Sequence, residues 1–202
     1  GKRFGGFLHS SGQPPANGFH KARGNVVDPI EVLESKGLPA FRYFFLRHVD
    51  SFSDSDFTWQ KYNDAYNNEL ANDLGNLVQR LANLCKKQDL DGLNYQPPRD
   101  AEYEKIMDSF YFSKAFDYVW EKVHDLNKAI DEEKPWELAR DPEKQCELLQ
   151  VLVRLSQDLL KVAAMLKPFM PETSDKIIEI FNAEKIMPPE TPLFPRDPLP
   201  KK

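Results

Sequence analysis

Leu70, Leu74, Leu77, Leu81 and Leu84 alternate steps of four and three, the spacing that gathers side chains on one face of an α-helix. The pattern predicts a helix that ends near Lys86-Lys87. Phe116, Val119, Trp120, Val123 and Ile130 mark a second apolar face, and Leu148, Leu152, Leu155, Leu159, Val162 and Leu166 a third, stopped by Pro168. Long amphipathic segments joined by short polar loops bury such faces against one another, so the expected fold class is all-α, an antiparallel helix bundle.

Ahead of the bundle the pattern changes. Phe4 to Ser11 holds a short apolar run that reads as a strand, followed by a turn at Ser11-Gly12-Gln13 and an exposed loop through Pro14-Pro15-Ala16-Asn17-Gly18. After Asp28-Pro29, the residues Ile30, Val32 and Leu33 predict a short helix; Gly37 and Pro39 interrupt it, and Phe41 to His48 is rich in aromatics. Ser51 to Asp56 reads as a polar, acidic loop. From there to about Ile186 the spacing is helical, and four prolines after Glu190 give an extended tail.

Composition narrows the function classes. The 202 residues are 41% hydrophobic and 29% charged, as in a globular chain long enough to bury a core without metals or disulfides. Cys85 and Cys146 lie far apart with no partner at metal-ligand spacing, which reads as reduced and structural. No apolar run approaches the ~20 residues of a membrane span, and Gly1-Lys2-Arg3-Phe4 does not open a signal peptide, so the expected location is the cytoplasm, with no membrane partner. A net charge of -5 argues against a generic binder of nucleic-acid phosphates, DNA included; any such contact must be local and specific.

Two features have the chemistry for such a contact. Asn76 and Arg80 are neighbours one turn apart on the leucine-striped helix, and amide and guanidinium groups suit the edge of an unpaired base. Read on spacing alone, the same pair is a solvated surface, since polar pairs four apart occur on every surface helix. Trp136 follows Pro135, which is compatible with the first turn of a helix, so its indole either stacks on a splayed base or packs in the core. Trp120 sits within an apolar stripe and Trp59 near a helix start, both read as packing residues. His9, His20, His48 and His124 are scattered without metal-ligand pairing, no glycine-rich phosphate loop is present, and no catalytic, metal or cofactor-binding group is nominated.

A family resemblance runs through the chain in order. Phe7-Leu8-His9-Ser10-Ser11-Gly12-Gln13 and Gly24-Asn25-Val26-Val27-Asp28-Pro29 resemble the strand, turn and exit around the Lys-Met-Ser-Lys-Ser loop of class I methionyl-tRNA synthetases. Ala40-Phe41-Arg42-Tyr43-Phe44-Phe45-Leu46-Arg47 resembles the segment that joins the family's catalytic and helical domains, and Asp54 to Phe57 the acidic turn after it. The resemblance continues through Tyr66 to Arg80, Lys134-Pro135-Trp136, Leu166-Lys167-Pro168-Phe169-Met170-Pro171 and Leu193-Phe194-Pro195-Arg196.

The resemblance implies a division into a remnant of the catalytic domain at 1–29, a connecting segment at 30–60, a helical anticodon-binding domain at 61–190 and a tail at 191–202. It also implies that Asn76, Arg80 and Trp136 contact the CAU anticodon of tRNA(Met), a mode of direct base reading that needs no strongly basic surface. The expected partners are that anticodon stem-loop and the family's catalytic half, which carries the His-Ile-Gly-His-like motif and binds methionine and ATP. In place of Lys-Met-Ser-Lys-Ser stands the longer Pro14-Pro15-Ala16-Asn17-Gly18-Phe19-His20-Lys21-Ala22-Arg23. Lys21 is nearest the second lysine, and no catalytic role is carried onto it. The chain alone is therefore expected to bind no ATP and to have no aminoacylation activity. Two other readings stay open: a free-standing helical module for a protein partner, and a tRNA-binding paralogue that does not aminoacylate.

Overall fold

The computed structural model describes residues 27–49 and 57–196. The strand, turn and loops expected before Gly24, including the altered loop at 14–23, lie outside the described residues, as do the acidic loop at 51–56 and the end of the tail.

Helix α1, Pro29–Arg47, opens where Asp28 Oδ1 accepts the Ile30 N–H at 2.9 Å, with Pro29 in the first turn. Gly37, at φ +81° and ψ 171°, breaks the helical backbone, and the rod resumes beyond it with Pro39 in the restarted first turn, where a missing N–H costs little. The interruption expected at Gly37 is thus present, with helical backbone on either side of it. Thr58 caps α2, Trp59–Asp64, by accepting the Lys61 N–H at 3.2 Å. α2 then runs without a break into a π-helical segment, Ala65–Gly75, and on into α3, Asn76–Lys87.

After α3 the chain leaves the helical pattern. Residues 90–95 run beside 181–186: Leu93 donates to the Phe181 carbonyl at 3.0 Å and Ile186 to the Leu90 carbonyl at 3.1 Å, around one antiparallel bridge between Asp91 and Lys185. Among the described residues this bridge is the nearest thing to a strand. The helical expectation fails here because Asp89 and Asn94 have positive φ and Pro97-Pro98 supply no N–H.

Helices α4, Ala101–Asp108, and α5, Phe112–Glu133, follow, then the single turn α6, Pro135–Leu138, and α7, Gln145–Leu166, and α8, Pro171–Asn182. α7 is the centre of the bundle, packed on α3, α5, α6 and α8. It runs against α5, since Glu133 at the end of α5 meets Arg154 midway along α7, while Tyr118 near the start of α5 lines one cavity with Met165 near the end of α7. It also runs against α3, because Gln88 and Gln145 join the end of one to the start of the other at 2.8 Å.

The three predicted apolar faces are the core. Leu70, Leu74, Leu77 and Leu81 are fully buried, as are Phe116, Val119, Val123 and Ile130 and the α7 stripe, with Leu84 half-buried at the margin. Each such side chain contributes about 1.5–3 kcal/mol of transfer free energy, which makes these stripes the main source of stability. Trp120 is buried among Tyr43 and Phe116, its ring centroid 4.5 Å from that of Tyr43. Trp59 packs edge-on to Phe57 and Tyr62. The tail returns to the bundle: Phe194 is buried edge-on to Tyr66, whose hydroxyl donates to the Pro195 carbonyl at 2.7 Å, and Arg196 donates to Asn72 Oδ1.

Candidate nucleic-acid interface

The leucine stripe that buries one side of α3 turns the opposite side outward. Asn76, the first residue of α3, is exposed, and its backbone N–H reaches the Ala71 carbonyl in the preceding π-helical segment. Arg80, one turn further on, is partly exposed; its Nη2 donates to Asp131 Oδ1 at 2.7 Å, across to the last turns of α5. A guanidinium has five N–H donors in a planar fork, so this bond orients Arg80 and leaves donors for a second partner.

The same contact brings the end of α5 to the outer side of α3. There Lys134, at φ +46°, ends α5 with its N–H on the Ile130 carbonyl and turns the chain into α6. Pro135 is buried at the first position of α6, as its missing N–H allows, and Trp136 beside it is 38% exposed. With over a third of its surface open, the indole is not enclosed as Trp120 is. Asn76, Arg80 and Trp136 are therefore all solvent-facing groups, two on one helix and the third just beyond the helix end to which Arg80 is bonded.

Electrostatics around the three are mixed. Asp131 and Glu132 are exposed, Glu133 is held by Arg154, and Lys134 pairs with Glu137 at 3.4 Å. His48 and His124, which the sequence leaves without a role, each meet one carboxylate: Nε2 of His48 lies 2.8 Å from Glu69, and Nε2 of His124 lies 3.1 Å from Asp73. Asp131 and Glu69 escape sequence reasoning because their partners are far along the chain, and no local spacing signals such a pair.

Residues 6–82 match the family described as tRNA synthetases class I (M). The methionine–tRNA ligase of Bacillus subtilis is 38% identical over 175 residues, 79% of this chain and 26% of that protein. The chain belongs to the methionyl-tRNA synthetase family. The methionine–tRNA ligase of Fusobacterium nucleatum is 35% identical over 179 residues, 82% of this chain and 28% of that protein. The apo crystal structure of Mycobacterium tuberculosis methionyl-tRNA synthetase superposes with a TM-score of 0.73 at 25% identity, over 87% of this chain and 42% of that one. The chain thus spans about a quarter of the length of the methionyl-tRNA synthetases it matches in sequence. The family match takes in Asn76 and Arg80; Trp136 lies beyond it.

Proposed function

We propose that this chain reads the CAU anticodon of tRNA(Met), as the tRNA-recognising part of a methionyl-tRNA synthetase in the cytoplasm. In the complete enzyme a catalytic half joins methionine to tRNA at the expense of ATP, and these residues supply selection of the tRNA. The observation that supports the reading is that Asn76 and Trp136 are exposed and Arg80 partly so, on elements whose other faces are buried. Asn76 offers both donor and acceptor, Arg80 a planar fork of donors, and Trp136 a ring face, which is the set that reads and stacks unpaired bases.

Titration of the chain with an RNA stem-loop carrying CAU tests this. Asn76→Ala or Arg80→Ala is expected to weaken binding by about 1–3 kcal/mol, as for loss of a base-reading contact. Thermal stability should change by less than about 0.5 kcal/mol, since neither substitution opens a cavity. Equal affinity of the parent chain for a scrambled loop would refute anticodon reading.

A further inference from the structure

The π-helical segment Ala65–Gly75 is held from several sides. From α5, Asn127 donates to the Asp73 carbonyl at 3.1 Å, and His124 meets the Asp73 carboxylate. From the tail, Phe194 closes over Gly75 and Arg196 binds Asn72. From α1 comes the densest attachment. A single oxygen, Glu69 Oε2, accepts from the Tyr43 hydroxyl, from Arg47 Nη1 at 3.2 Å and from His48 Nε2 at 2.8 Å.

These donors are themselves fixed. Tyr43 is fully buried against Phe116 and Trp120 and also accepts from Arg47, whose guanidinium lies over the Trp120 ring at 4.9 Å and reaches Asp117 of α5 at 3.3 Å. Burial alone would raise the Glu69 carboxyl, but the hydrogen bonds from His48 and Tyr43 and the Arg47 charge outweigh it and hold the group below the usual carboxylate range. Burial pushes the Tyr43 phenol well up, so it remains a donor. The cluster is an ionised acceptor ringed by donors.

A helix bonded five residues back is rare, generally lasts one turn, and is often found at functional sites. Here the wide register reaches the candidate interface itself. The Asn76 N–H bonds back to Ala71, five residues earlier, and also to Asp73, and a Cβ added to Gly75 would stand 3.1 Å from the Leu70 carbonyl oxygen, again five residues earlier. Return of one such turn to α-helical bonding would rotate every residue that follows about the helix axis, Asn76 and Arg80 first.

We propose that Glu69 is a positioning residue: by gathering Tyr43, Arg47 and His48 it holds the π-helical register, and so sets the angle at which α3 presents Asn76 and Arg80. The proposal deepens the anticodon reading and rests on it. The test uses the 202-residue chain with Glu69→Gln, which removes the charge at constant size, and Tyr43→Phe, which removes one donor and keeps the ring. Glu69→Gln is expected to weaken CAU stem-loop binding about three- to thirtyfold, the range for residues that act through others. Tyr43→Phe should cause a smaller loss. Affinity for a scrambled loop should not change, and Glu69→Gln should add no loss to a chain already carrying Asn76→Ala and Arg80→Ala.

Amide hydrogen exchange should quicken across residues 65–80 and stay constant in α7. An equal loss for both loops, or a further loss in the doubly substituted chain, would make Glu69 a general stabiliser and overturn the proposal. Unchanged exchange across 65–80 would overturn it too. If Glu69→Gln does not fold, Tyr43→Phe provides the same readouts. Should Asn76→Ala and Arg80→Ala leave CAU binding intact, anticodon reading fails by itself, and the exchange pattern then decides whether Glu69 holds the register.

Discussion

Trp120 and Trp136 lie on one stretch of chain and meet opposite surroundings. Trp120 is enclosed by Tyr43 and Phe116, whereas Trp136 stands open on the first turn of α6. Truncation should separate them. Trp120→Ala removes a buried ring and is expected to cost about 3–5 kcal/mol of stability. Trp136→Ala should leave the melting transition nearly in place and weaken CAU stem-loop binding by about 1–3 kcal/mol, as for a lost base stack. Thermal melts and RNA titrations on the two variants check both halves, and a large loss of stability for Trp136→Ala would mean the indole is a packing group. The apolar stripe around Trp120 was legible because its neighbours recur at helical spacing. For Trp136 the local pattern showed only a helix start after Pro135; its exposure depends on how α6 lies on α7, which no short window contains.

Elements were legible in proportion to how local their causes are. The stripes on α3, α5 and α7 follow from periodicity, and the kink in α1 from Gly37 and Pro39. The π-helical segment was not legible: Leu70, Leu74 and Leu77 have ordinary α-helical spacing, and the groups that touch the segment, from α1, α5 and the tail, are distant in sequence. The pairing of 90–95 with 181–186 was equally hidden, because its two sides are distant in sequence. Gly92 is its tight point. A Cβ built there would lie 1.8 Å from the Ala183 carbonyl oxygen, a backbone atom that no side-chain rotation can move. Gly92→Ala should therefore destabilise by more than about 1 kcal/mol, although alanine normally gains from lower chain entropy. Chemical denaturation of the variant measures this, and a neutral result would place the two segments further apart than described.

At the scale of the whole molecule, charge decides how RNA binding should respond to salt. The chain carries a net -5, and the candidate interface borders the exposed acids Asp131 and Glu132, which oppose a generic attraction to phosphates. Arg80 is already paired with Asp131, and exposed pairs of this kind contribute at most about 1 kcal/mol, so the arginine is oriented at little energetic cost to its availability. Recognition would then rest on base edges and stacking, with few counterions released. For single strands the logarithmic slope of affinity against salt is about -0.7 per phosphate contacted. With about two such contacts, the affinity for a CAU stem-loop should fall by less than about tenfold between roughly 50 and 200 mM salt. A scrambled loop, bound only through its backbone, should bind weakly throughout the same range. Titrations at several salt concentrations give the slope directly. A slope several times steeper, with CAU and scrambled loops falling together, would show phosphate attraction to be the source of binding and would remove the role assigned to Asn76, Arg80 and Trp136.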